Sequence, residues 1–257
     1  GAVYVSLNFA TGTAESIKDK VKADIITNFS DNLGIVSMTT KYADPTDLFL
    51  ELTLGFNFDP ALTGFSLAAT ESSAYNFMIR YFNENLNKFD KTFRRSNLLT
   101  EIDALDPAIL SSRCDVKAQL RINPTIGTER NFELQYPMRL KGADDFTFTI
   151  LSSVFEFDGK IALIRNKLSS QRLQIQDIDG NVLLDNVGEF VPTRGQVKIV
   201  GFAPQAFIGG SEFIKVSAIP LNESVVKPLR NFVVRLDPSV SFATGTLDRQ
   251  DTKLTVG

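Results

Sequence analysis

The stretch from Leu48 to Phe58 constrains this chain more than any other. Leu48, Leu50, Leu52, Leu54, Phe56 and Phe58 alternate without a miss, and Asp59-Pro60 stops the run. A period of two sends successive side chains to opposite faces, so the segment reads as a β-strand with one face committed to a core. Such a face needs a second layer packed against it. The neighbouring sequence supplies candidates for that layer and for further strands.

Upstream, Val3, Val5, Leu7 and Phe9 alternate with Tyr4, Ser6 and Asn8, which predicts a first strand. Thr11-Gly12-Thr13 breaks it. Thr13 can cap a helix with Glu15 in its first turn, and Ile17, Val21, Ile25, Ile26 and Phe29 form its apolar stripe. Asn32 and Gly34 supply the stop. Val36, Met38, Thr40 and Tyr42 predict a second strand, ended by Asp44-Pro45. Downstream of the Leu48–Phe58 run, a helix is predicted from about Thr70 to Asp90, with Tyr75, Met78, Ile79, Phe82, Leu86 and Phe89 on one stripe. Ser96 can cap a short helix holding Leu98, Leu99 and Ile102, and Asp106-Pro107 opens a turn. A fourth strand places Cys114, Val116, Ala118, Leu120 and Ile122 on one face, with Asp115, Lys117, Gln119 and Arg121 on the other.

The order β-α-β-β-α-β over residues 1–124 predicts an α+β, ferredoxin-like domain: an antiparallel sheet covered on one side by two helices. Right-handed crossovers would give the strand order 4-1-3-2. The other sheet face is expected to be polar and solvated, with Tyr4, Phe49 and Glu51 near its middle. From residue 125 no helical period is visible. Alternation at Phe132–Leu140 and Phe146–Ile150, short apolar runs at 154–158, 160–165 and 171–176, and turn signals at Asp179-Gly180 and Pro192–Gly195 predict many short strands. Residues 125–238 therefore read as an all-β sandwich or barrel-like domain, and residues 239–257 as an extended surface arm. The chain opens on Gly1-Ala2-Val3 within strand-like sequence, and it is expected to be part of a longer polypeptide.

Composition narrows the chemistry. There is no His, so Ser-His-Asp and Cys-His nucleophile systems and His-ligated metals are excluded. The single cysteine, Cys114, allows no internal disulfide and no Cys-based cluster. Of the aromatic residues 21 are Phe and none is Trp, a usage suited to filling a core rather than stacking on sugars. The net charge of −3 lacks the basic footprint of a nucleic-acid binder, and no run of 18 apolar residues predicts a membrane-spanning helix.

The remaining candidates favour structural roles. Asp177-Ile178-Asp179-Gly180-Asn181 opens like a calcium loop, yet Gly188 stands where the bidentate Glu should be, so a hairpin turn is expected. Asp144-Asp145 and the pair Asp103 with Asp106 could act as paired carboxylates but sit in turn-forming sequence. Cys114 falls on the apolar strand face, with no base to activate it. Arg94-Arg95 suits the C-terminus of the long helix. Gly34, Gly64 and Gly209-Gly210 match no phosphate-cradling spacing. An RNA recognition surface would need basic and aromatic residues on strand three, which instead turns Phe49, Glu51 and Thr53 outward. No catalytic, cofactor-binding or metal residue is assigned.

The run from Ser96 to Ser112, SNLLTEIDALDPAILSS, joins the long helix to the fourth strand. It resembles a recurring segment of the baseplate wedge subunits of contractile-tailed phages, the T-even gene-product-six type in its C-terminal portion, related to the baseplate J-like family. Gly1–Val5, Pro45–Leu52, Ile178–Gly188 and Gly195-Gln196-Val197 resemble that family as well. The resemblance implies a non-enzymatic structural subunit of the virion tail, assembled in the host cytoplasm. It implies homodimers that join the wedges into a ring around the tail hub and bind other wedge proteins, with no cofactor, nucleic acid or membrane. A tail-associated receptor- or carbohydrate-binding module is the alternative, which the β-rich second half permits and the lack of Trp disfavours.

Overall fold

β3 (Thr46–Phe58) forms as its alternation requires. Leu48, Leu50, Leu52, Leu54, Phe56 and Phe58 are all buried, while Phe49, Glu51 and Thr53 keep some exposure. This is a computed structural model, and it describes residues 2–9, 12–30, 39–228 and 231–248. Before β3 come β1 (Ala2–Val5), α1 (Glu15–Ile25) and β2 (Thr39–Tyr42). After it come α2 (Leu67–Asn85), β4 (Phe93–Arg94), α3 (Arg95–Asp103) and β5 (Ile109–Ile122). Ser66 caps α2 by accepting from the Ala69 amide at 3.2 Å. Thr70, Ala74, Met78, Tyr81 and Phe82 form the buried stripe of α2, and Leu98 and Ile102 that of α3. Both stripes join one core cluster with the buried face of β3 and β5. The rings of Phe82 and Phe93 stack with centroids 5.6 Å apart.

The ferredoxin-like order 4-1-3-2 is not the one found. β3 pairs directly with β5, antiparallel, with Leu52 opposite Val116 and Leu54 opposite Cys114. β1 pairs β2 in parallel as a separate two-stranded sheet. The other edge of β3 is taken by two strands from the far end of the chain, β16 (Phe232–Leu236) and β17 (Phe242–Leu247), both parallel to it. The physical reason lies in β16. Phe232, Val233 and Val234 are all buried, so this strand is apolar on both faces and suits a doubly covered position. Local periodicity in the first half could not reveal that competitor. Residues 31–38, including Asn32, Gly34, Val36 and Met38, lie outside the described residues, as do the side chains of Tyr4 and Phe29. Ala14, not Thr13, occupies the N-cap position of α1, without a side-chain cap bond.

From β5 onward the described residues hold strands and one 3-10 turn, Pro192–Arg194. In chain order these are β6 (Arg130–Gln135), β7 (Ile150–Ser152), β8 (Phe155–Phe157), β9 (Lys160–Asn166), β10 (Arg172–Asp177), β11 (Val182–Val191), β12 (Gln196–Phe202), β13 (Ala206–Phe207), β14 (Ile214–Ala218) and β15 (Val225–Val226), before β16 and β17. The main sheet runs β16-β3-β5-β14-β7-β9-β10-β11-β12-β6, with β17 on β3, β8 on β9 and β13 on β8, thirteen strands in all. The expected boundary near residue 124 falls between β5 and β6, and β14 pairs with β5 across it. Within the expected arm, β17 lies in the sheet.

Two turns decide strand placement. Asp179-Gly180 makes the hairpin between β10 and β11, with Gly180 at φ 91°. Gly195, at φ 65°, leads into β12 where a Cβ would lie 2.2 Å from the Met138 carbonyl oxygen, so only glycine fits. The expected strand at Phe146–Ile150 is shorter and begins at Ile150. Asp144 Oδ1 accepts from the amides of Phe146 and Thr147, which holds a turn and leaves Phe146 91% exposed.

Candidate assembly surfaces and the polar knot at Asp237

Asp237 follows β16, next to the expected start of the C-terminal arm. The structure buries it to 2% exposure. Its amide donates to the Leu50 carbonyl at 2.9 Å, continuing the β16 ladder on β3. Its Oδ2 accepts from Gln119 Nε2 at 3.0 Å, Arg121 Nη2 at 3.2 Å and Lys215 Nζ at 2.8 Å. Its Oδ1 accepts from the Ser239 amide at 3.1 Å and the Ser239 hydroxyl at 2.7 Å. Burial pushes the carboxyl pKa upward, but the hydrogen bonds from Lys215, Ser239 and Gln119 and the Lys215 charge outweigh it and hold the group well below the usual carboxylate range.

The knot extends across the sheet face that was expected to be solvated. Gln119, fully buried, also donates to Glu51 Oε1 at 2.7 Å, and its own oxygen accepts from Arg121 Nε at 3.1 Å. Glu51 further accepts from the Ser217 hydroxyl. The Arg121 guanidinium carbon lies 3.5 Å from the ring centroid of Phe49 and 4.3 Å from that of Phe213, a cation–π contact on each. Two carboxylates and two cations thus share one hydrogen-bonded cluster, the arrangement that makes buried charge tolerable. Asp237 is occupied by donors of the chain itself, so the cluster fastens strands rather than offering a reactive group. Sequence reasoning missed it: Glu51, Gln119 and Arg121 were placed on the polar face, but no local signal marked Asp237 or Lys215 as their partners.

The other candidates resolve as structural. Asp177 is buried and accepts from the Asn181 amide at 2.7 Å and from Asn181 Nδ2 at 2.9 Å. The Asn181 side chain is the main cause of its lowered pKa, and Lys160 adds to it. This is a closed turn. Asp144 is held down to about 2, first by its hydrogen bond from Lys141 and then by the two loop amides, while Asp145 is exposed. Asp106 accepts from the Ala108 amide at 2.8 Å and the Thr63 hydroxyl at 2.9 Å, and Asp103 is exposed at the end of α3, so no carboxylate pair forms. Burial pushes the Cys114 thiol up to about 12, with the Asp115 charge adding to it. Arg94 and Arg95 do not close the long helix. Arg94 sits in β4, and Arg95 opens α3, donating to the Cys114 carbonyl at 3.1 Å and to Ser224 Oγ at 3.1 Å. Thr53 is exposed on β3, a Cβ on Gly64 would meet open space, and Gly209-Gly210 is a turn with positive φ. Among the described residues no group of three or more His, Cys, Asp and Glu could hold a metal, and no helix is long and apolar enough to cross a membrane.

Among the apolar surfaces left uncovered, two lie beside α1 and α2. α1 has no buried residue, and Ile17 on its stripe is 54% exposed. A cleft of 670 Å³ lies between α1, α2 and β16, lined by Lys18, Asp47, Phe49, Ile79 and Arg235 among others. Its charges are largely paired: Arg235 Nε meets Asp47 at 2.7 Å and Lys18 meets Glu15 at 2.9 Å. Along the outer side of α2, a shallower groove runs past Ala69, Ser73, Phe77 and Leu105.

No curated protein matches the chain by sequence. Residues 66–119 match the family model described as baseplate structural protein gp6, C-terminal domain III. That segment contains α2, α3 and most of β5, the elements that close the core over β3. Over these residues the chain is similar to the gp6 family of baseplate structural proteins.

Proposed function

We propose that the chain is a wedge subunit that works by protein–protein contact, without turnover. It forms homodimers, the dimers join the wedges into a ring around the tail hub, and other wedge proteins complete its contacts during assembly in the host cytoplasm. Neither nucleic acid nor membrane is a partner in this reading. The observation that carries it is the match of residues 66–119 to the gp6 baseplate domain. The uncovered stripe of α1 and the groove beside α2 support it, because an assembly subunit keeps apolar surface for its neighbours.

Sedimentation at several concentrations, for the chain alone and mixed with the other wedge components, tests the reading. A mass that rises toward a dimer, and co-sedimentation with those components, is the expected result. A strictly monomeric species that binds none of them overturns it.

A further inference from the structure

One edge of β3 is shared by two short strands of a single C-terminal segment. β16 covers Thr46–Leu50 and β17 covers Thr53–Phe58, and between them the chain leaves the sheet through residues 237–241. The two strands are anchored very unequally. β16 buries Phe232, Val233 and Val234, whereas β17 buries no side chain and leaves Phe242 and Leu247 at least half exposed. The Asp248 amide extends the ladder on β3 by donating to the Phe58 carbonyl at 2.9 Å, and off the ladder the Gly245 amide donates to Glu71 Oε1 at 2.8 Å. Its fit is steric as well, since a Cβ on Gly245 would lie 2.3 Å from Leu67 Cδ1 and 2.8 Å from Phe56 Cε2.

The turn between the strands is where the polar bonds concentrate. Asp237 Oδ1 holds Ser239, and Oδ2 is gripped by Gln119, Arg121 and Lys215. Ser241 Oγ donates to the Asp237 carbonyl at 2.8 Å and accepts from the Leu52 amide at 3.0 Å. Tyr75 of α2 donates its hydroxyl proton to the Pro238 carbonyl at 2.9 Å. These contacts fix where β17 re-enters the sheet.

We propose that β17 is a releasable strap fastened by the Asp237 knot: it peels from β3 as a unit while β16 stays in place, baring the β3 edge from Thr53 to Phe58. The argument is one of unequal burial. Apolar burial sets most of the cost of opening a segment, so a strand with exposed side chains opens far below the cost of global unfolding, and a strand with three core residues does not. A bared edge presents unpaired amides and carbonyls ready to pair with another extended chain.

Native-state hydrogen exchange on the whole chain is the test. Amides of β17, and the β3 amides that face it, are expected to exchange at least about tenfold faster than those of the β16–β3 ladder. Asp237→Asn keeps the volume but replaces an acceptor with a donor, and it should speed exchange at 242–247 and 53–58 by about a further tenfold while 232–236 change much less. Gly245→Ala leaves the knot intact and should produce the same local pattern by pushing β17 off Leu67 and Phe56. It also decides the matter if Asp237→Asn does not fold. Equal exchange of β16 and β17 in the unaltered chain overturns the strap. So does a Gly245→Ala effect that spreads evenly over the sheet or leaves β17 unchanged.

Discussion

Adjacent residues on β3 show how little a side chain's own chemistry says about its cost. Leu52 is fully buried opposite Val116, and Leu52→Asp would place a carboxylate in the core with no partner. The expected loss is about 4 kcal/mol or more, enough to abolish cooperative unfolding in a denaturant titration. Glu51, on the other face, is not the neutral surface position that a solvated sheet would make it. Glu51→Ala strips the acceptor from buried Gln119 and from Ser217, so a loss of roughly 1–3 kcal/mol is expected in the same titration. Asp237 gives the pH dependence. Its folded pKa is depressed, so its contribution is present above the unfolded carboxylate value of roughly 4 and is lost as pH falls through the lower folded value. Stability measured against pH should therefore show the chain and its Asp237→Asn variant differing by a constant amount above about pH 5 and converging below about pH 4. A gap that stayed constant into acid would contradict the hydrogen-bond assignment at Asp237.

At the scale of elements, strongly periodic segments were legible and weakly buried ones were not. The alternation of β3 and β5 buries the residues the pattern picks out, including Leu54 and Cys114, and of the predicted α2 stripe Met78, Phe82 and Leu86 are buried while Tyr75, Ile79 and Phe89 are only partly covered. α1 has an equally regular stripe, yet it buries none of it among the described residues. Periodicity reports that a face is suited to burial, not that the same chain covers it. Turn chemistry was a dependable local signal at Asp179-Gly180, where Gly180 takes a positive φ and Asp177 closes the turn on Asn181. It gave no hint of Asp237, which stands just before a turn at 238–240 and also serves as the partner of three side chains from two other strands.

For the whole molecule, the sheet is continuous where the sequence changes character. β14 pairs with β5, and β16 and β17 close the edge of β3, so the first half depends on strands more than ninety positions later in the chain for its hydrogen bonds. Residues 1–124 expressed alone would bare both the β14 side of β5 and the C-terminal side of β3, with the apolar surface those strands cover. They are expected not to fold, giving a poorly dispersed amide spectrum or aggregation. A well-dispersed spectrum from that fragment would show that β3, β5 and their helices suffice as a domain. The proposed baseplate role belongs to this scale as well: the run from Ser96 to Ser112 lies within the segment similar to the gp6 domain, whereas no surface contact could be named from it.

By itself the sequence determined that β3 and β5 are strands with one buried face, that α2 packs over them, that the second half is built of strands, and that neither His-dependent chemistry nor an internal disulfide is available within it. Each of these follows from interactions within a few residues or from composition, and such interactions are written directly in the order of side chains. Only the tertiary structure decided that β3 lies beside β5 rather than between β1 and β2, that its far edge takes β16 and β17, and that the polar face closes over Glu51, Gln119, Arg121, Lys215 and Asp237. Those outcomes depend on which distant segments compete for one edge, and on whether buried charges find partners across the sheet. A one-dimensional pattern does not encode that competition, because any apolar strand of suitable length can satisfy the same alternation.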